Sequence, residues 1–218
     1  LLTGFYLPDQ LLLGFFCSFG FVFSYLTLKK LLSFANIKIN LWGNIVSLIV
    51  LATATTVPFL MRRTEVYEMC IGLGFCLMMM SLYYFLNCFD IQIKKGRNLF
   101  LLWTGLLFGL TVCTRPNQLI AIAVLILAFG LVNLIFLKKS KNLILKEIFI
   151  ISIPVVAIGL MMMSYNYLRF DSPFEFGIHY QLAGNNQNEG SVMSFRNIMI
   201  SIPNYLFCKF KFAPLFPY

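Results

Sequence analysis

The chain has 218 residues, of which 60% are hydrophobic and only 11% charged, and its formal net charge is +9. Its mean hydropathy is +0.83. Soluble domains carry roughly 25% charged residues, so this composition excludes a water-soluble globular protein and requires an integral membrane protein.

A spanning helix needs about 20 predominantly apolar residues. Taken in chain order, the sequence predicts such helices at about 10–28, 42–61, 69–88, 98–114, 118–137 and 147–167, with a weaker seventh at about 196–213. The segments are too long for barrel strands and lack strict alternation, so the fold class expected is all-α, a polytopic transmembrane bundle of six or seven spans forming a single domain over 1–218. The chain opens on Leu1 without a charged n-region and closes on an apolar run, which reads as a fragment of a longer protein with an upstream N-terminus.

The connections alternate in charge. Lys29, Lys30, Lys38, Lys94, Lys95, Arg97, Lys138, Lys139, Lys141 and Lys146 fall on one side, and Arg62, Arg63, Arg115, Arg169 and Arg196 on the other. The first set is the larger and is all Lys but for Arg97, so the positive-inside rule assigns it to the cytoplasm. Orientation thus accounts for the basic balance, and a nucleic-acid partner is not required. Asp9, Glu65, Glu68, Asp171, Glu175 and Glu189 fall on the outer side, and only Asp90 and Glu147 on the inner. A polar site is therefore expected at the outer face. The six Cys are scattered through apolar runs without a CxxC pair, and the lone His179 has no partner spacing, so no zinc site or disulfide is expected. Neither a Walker motif nor GxGxxG is present.

Three outer stretches carry candidate chemistry. In MRRTEVYEMC, residues 61–70, Glu65 and Glu68 are three apart and share a face at a helix start, where negative charge is favoured. They read either as a helix-end charge cluster balanced by Arg62 and Arg63 or as carboxylates at a cavity mouth. In GLTVCTRPNQL, residues 109–119, Arg115 and Asn117 lie between two apolar runs. Thr114 is placed to cap the next helix and Pro116 to occupy its first turn, which would make an anion site. The plain alternative is an Arg reaching to the interface. In YNYLRFDSPFEFGIHYQL, residues 165–182, Arg169, Glu175, His179 and Tyr180 sit among aromatics that suit an interface belt, a sugar or a headgroup. Ser172-Pro173 should stop the preceding helix. Arg169 and Glu175 are expected to face Arg115 and Glu68 across one rim.

These three stretches, in this order and spacing, resemble bacterial polytopic membrane proteins of the GT-C glycosyltransferase superfamily, of the family 39 or protein-mannosyltransferase-like sort. The resemblance runs from about Tyr6 to the end, and NYLRF-SPFEFG-YQL is its most specific piece. It implies transfer of a sugar from a polyprenyl-phosphate donor to an acceptor at the outer face of the bacterial cytoplasmic membrane. It implies Arg115 as the phosphate ligand, with Arg62 or Arg63 assisting, and Glu65 and Glu68 lining the cavity. The family's base is an acid in its first outer loop, which here leaves Asp9 or a residue upstream. No cofactor is implied within these residues, and a divalent metal is possible in the full-length enzyme. A transporter or lipid flippase is the rival expectation, and a non-catalytic structural subunit the third.

Overall fold

The computed structural model describes residues 8–55, 57–61, 66–89, 96–177, 180 and 199–204. Its elements are α1 (Asp9–Phe34), α2 (Leu41–Thr53), α3 (Val57–Leu60), α4 (Val66–Asn87), α5 (Arg97–Thr114), α6 (Gln118–Ile135) and α7 (Lys141–Phe170). No strand occurs among the described residues. Five of these helices, α1, α4, α5, α6 and α7, are long and apolar enough to cross a membrane. Ile120, Val124, Leu127 and Leu131 lie exposed along α6. Such a continuous apolar face suits lipid rather than water. The protein is an all-α, multi-pass membrane protein.

The second predicted span is corrected. The apolar run 42–61 is not one helix: α2 stops at Thr53 and the four-residue α3 begins at Val57. Pro58 supplies the reason. It has no amide to give the carbonyl of Ala54, and its ring crowds that carbonyl, which weakens the helix at this point. Of the weak seventh span, residues 199–204 are helical and the rest lie outside the described residues.

The chain divides into two compact units, Leu1–Met163 and Ser164–Tyr218. In the first, α1 packs along α4. Gly20 of α1 lies against Phe75 and Cys76, and Gly72 of α4 against Leu13. Further along, Phe23 meets Tyr83 edge to face at 5.7 Å. Numbers rise together on both helices, so α1 and α4 are parallel. Helix α5 runs the other way, with Thr114 against Gly74 and Cys88 Sγ 3.7 Å from Thr104 Oγ1. Helix α7 is parallel to α5, with Ile151 against Gly105 and Ile158 against Gly109. The main core joins Phe85, Phe108, Phe129 and Ile151 from α4, α5, α6 and α7. Leu13, Cys17 and Leu60 form a smaller one.

Polar side chains within the spans bond back into their own helices. Ser24, Thr104 and Thr111 donate to the carbonyls of Gly20, Phe100 and Leu107, and Asn133 Nδ2 to that of Phe129. These donors thereby meet the requirement for internal satisfaction in lipid, while Thr27 Oγ1 and Asn133 Oδ1 are buried with no partner among the described residues.

Candidate functional site

Parallel packing brings the starts of α1 and α4 to the same end of the first unit. Asp9, the first residue of α1, lies there exposed, behind Pro8. It lines a cavity of about 360 Å³ with Leu12 and Phe16 of α1 and Met69, Cys70 and Leu73 of α4. Glu68 occupies the first turn of α4, beside that lining. Its Oε2 is buried and has no hydrogen-bond partner among the described residues. Both carboxylates thus stand at helix starts, where the positive end of the dipole favours them. The antiparallel α5 delivers its last residue, Thr114, to Gly74 of α4. Arg115 and Asn117 follow immediately, so both lie at the end that carries Asp9 and Glu68.

The turn between α5 and α6 differs from expectation. Thr114 does not cap α6: it is the last residue of α5, and its hydroxyl donates to the Thr111 carbonyl at 2.7 Å. Pro116 precedes the helix, which begins at Gln118, and Asn117 is its N-cap residue without a side-chain cap bond. The amides of Gln118, Leu119 and Ile120 are bonded to the carbonyls of Arg115, Pro116 and Asn117. What remains for an anion is the half-buried Arg115 guanidinium and the Asn117 amide, rather than open backbone donors.

Arg62, Arg63, Glu65 and His179 lie outside the described residues. Arg169, Glu175 and Tyr180 belong to the second unit. There α7 ends at Phe170, and Asp171 takes a left-handed conformation (φ 54°), its amide bonded to the Tyr167 carbonyl at 2.9 Å. That is an αL helix stop, with Pro173 two residues on. Arg169 Nη1 donates to Tyr165 Oη at 3.3 Å. Its guanidinium carbon sits 4.9 Å from the Phe170 ring centroid. On the same ring, Tyr180 stacks at 5.1 Å and 19°. Gly177 makes the return possible, with a φ of 81° and the Phe170 ring close to where a Cβ would stand. Arg169 and Tyr180 are therefore held by aromatic stacking. Glu175 donates its amide to the Ser172 carbonyl at 3.4 Å.

The opposite end of the first unit holds a cluster that the sequence reading missed. Glu147 of α7 is 3% exposed. Arg97, at the start of α5, grips it with both prongs: Nε donates to Oε1 at 2.6 Å and Nη2 to Oε2 at 3.2 Å. Lys139 Nζ donates to both oxygens, at 3.4 and 3.2 Å. Arg97 and Lys139 serve as orientation signals in the sequence, and their partner went unassigned. The available clue is an acid set behind Lys146 in the middle of an apolar run, NLILKEIFII. Beside the cluster, burial pushes the Cys88 thiol up to about 11, against smaller opposing effects from Thr104 and Arg97. With single-cysteine variants, a water-soluble maleimide is expected to label Cys70, which is exposed, and to leave Cys88 essentially unlabelled until the protein is denatured. Equal rates would contradict the packing of α4 against α5.

No group of three or more His, Cys, Asp or Glu side chains that could hold a metal ion occurs among the described residues. No protein-family model, curated protein or solved structure is significantly similar to the chain.

Proposed function

We propose that the chain is an integral-membrane glycosyltransferase, moving a sugar from a polyprenyl-phosphate donor to an acceptor at the extracytoplasmic face. In this reading the membrane is the bacterial cytoplasmic membrane, and the Lys-rich connections lie inside. The observation that carries it is the gathering of Asp9, Glu68 and Arg115 at one end, beside a cavity between α1 and α4. The resemblance of the three outer stretches to GT-C enzymes supports it.

The chemistry fits these groups. The acceptor hydroxyl attacks the anomeric carbon, the bond from that carbon to the phosphate oxygen breaks, and the lipid phosphate leaves with the electron pair. Glu68, or Asp9, takes the acceptor proton as general base. Arg115, with Asn117, holds the departing phosphate, whose charge a planar guanidinium matches well. Arg62 and Arg63 would assist.

The test uses the protein in native membranes with labelled polyprenyl-phosphate sugars. Arg115→Ala is expected to lower sugar release about 10²–10³-fold at equal expression, the usual loss for one charge-stabilising donor. Glu68→Ala should lower it as strongly, while Glu68→Asp retains part. Turnover unchanged in Arg115→Ala would overturn the assignment.

One observation favours the rival reading. Transporters use interrupted helices to build sites at membrane depth, and α2–α3 is interrupted. Movement of lipid or donor across the bilayer without sugar release would select that reading.

A further inference from the structure

The interruption after α2 creates a backbone problem. Thirteen residues of helix rise only about 20 Å, short of the roughly 30 Å of hydrocarbon. Helix α2 starts at the end of the first unit that holds Arg97 and Glu147, because it follows α1 through the short turn at 35–40, and Tyr25 Oη donates to Asn44 Oδ1 at 3.0 Å. Its last carbonyls, Leu51 to Ala54, therefore emerge inside the hydrocarbon. These carbonyls have no intrahelical donors. At such depth irregular backbone persists only where protein buries it or where it lines a polar cavity.

A cavity of about 220 Å³ lies at this point. It flanks the α1–α4 seam on the side away from Asp9. Phe21, Leu51, Val57, Met61 and Phe75 form apolar walls, and Thr55 contributes a hydroxyl. Thr55 Oγ1 is buried and has no partner among the described residues. So an unpaired hydroxyl lies at one apolar cavity with Leu51 and Ala52, whose helix-end carbonyls have no backbone donor among the described residues. A single –OH group complements both, accepting from Thr55 and donating to a carbonyl. The negative end of the α2 dipole favours the donated proton. No carboxylate lines the cavity, so an ammonium group would be left without a counter-charge. A lone water would satisfy the polar groups but fill only about 30 Å³ of the space.

We propose that the cavity at the α2–α3 break binds the hydroxyl end of a neutral long-chain alcohol, entering from the lipid. The site is separate from the outer-end carboxylates and does not rest on the glycosyltransferase reading. It takes an uncharged alcohol, because no cationic side chain lines the cavity to hold a phosphate.

The experiment uses the intact protein in lipid nanodiscs and a photoreactive primary alcohol of about sixteen carbons, comparable to an acyl chain of the bilayer. Its matched alkane, methyl ether and monophosphate ester carry the same photoreactive group near the same terminus. The alcohol is expected to label peptides containing Thr55 or Phe75, with labelling suppressed by excess unlabelled alcohol. Thr55→Val, which keeps the shape and removes the hydroxyl, should cut labelling about tenfold, in keeping with the loss of one hydrogen bond. Ala52→Leu, which narrows the cavity, should cut it at least as far. Both variants must keep the wild-type elution profile and the protection of Cys88. Equal labelling by the alkane or the ether would overturn the proposal, since no hydroxyl is then being recognised. Equal labelling by the monophosphate would overturn it too, and would assign the cavity to a phosphorylated lipid. Labelling of Cys17 by an aqueous maleimide without alcohol labelling would make it a water-filled vestibule, again against the proposal. Arg115→Ala should leave alcohol labelling unchanged, so loss of the transferase reading would not touch this result.

Discussion

Glu147→Ala is expected to lower the stability of the first unit by about 3 kcal/mol, because removing one partner of a buried ion pair strands the other charges. Arg97 and Lys139 would both be stranded, though each side chain keeps about a fifth of its surface exposed (20% and 19%). That partial access to solvent argues for the lower end of the usual range. Thermal unfolding in detergent, read from the fluorescence of Trp42 and Trp103, measures the loss. The pair itself is a different quantity from the penalty of breaking it. Replacing Glu147 and Arg97 together by Met should recover much of the stability, since well-packed apolar residues often replace buried ion pairs without cost. Lys139 can then turn its ammonium to the interface. If the double variant is as unstable as the sum of the single ones, the contact between Arg97 and Glu147 contributes nothing.

Gly105→Ala is expected to be at least as damaging. A Cβ at Gly105 would occupy the space of the Ile151 carbonyl oxygen, which is backbone and cannot swing aside. Overpacking a core costs about 1–3 kcal/mol when side chains can adjust. Here α5 and α7 must move apart, so the upper end or more is expected. Because the two helices are parallel, separating them at Gly105 also pulls Arg97 from Glu147. The effects of Gly105→Ala and Glu147→Ala should therefore fall short of additive. Gly159→Ala is the matched control on α7, since a Cβ there meets nothing within 4 Å. It should be neutral or slightly stabilising, as Ala is the better helix former. If Gly105→Ala matches that control, α5 and α7 are not in close contact.

The spans were legible because length and hydropathy are local properties. Helices α1, α4, α5, α6 and α7 all fall on predicted runs, with α1 and α7 extending beyond them. The break in the second run was not, because a hydropathy window reads Ala-Thr-Thr-Val-Pro as continuous with its apolar flanks. Pro58 was the local signal, and its effect falls on the residues before it. Thr114 read as a cap because its type and place allow one. Its hydroxyl instead meets the Thr111 carbonyl, a competition that only the backbone path decides. Pairings between helices were beyond reach. Arg97 and Glu147 are fifty residues apart, and nothing in either neighbourhood names the other. The alternation of spans already put Asp9 and Glu68 on one side, but it did not reveal the close packing of α1 on α4, with Gly20 and Gly72 in the contact.

The Arg97–Glu147–Lys139 cluster bears on how the protein responds to membrane voltage. Two cations around one anion leave a single positive charge held between helices at one end. Carrying one such charge across an energised membrane is worth about 2.3 kcal/mol per 100 mV. In the proposed orientation this end faces the negative side, so the resting potential draws it inward. The same field resists any rearrangement that would shift the charge toward the outer leaflet. An excursion of the α5–α7 pair would therefore be harder in a respiring cell than in a depolarised vesicle.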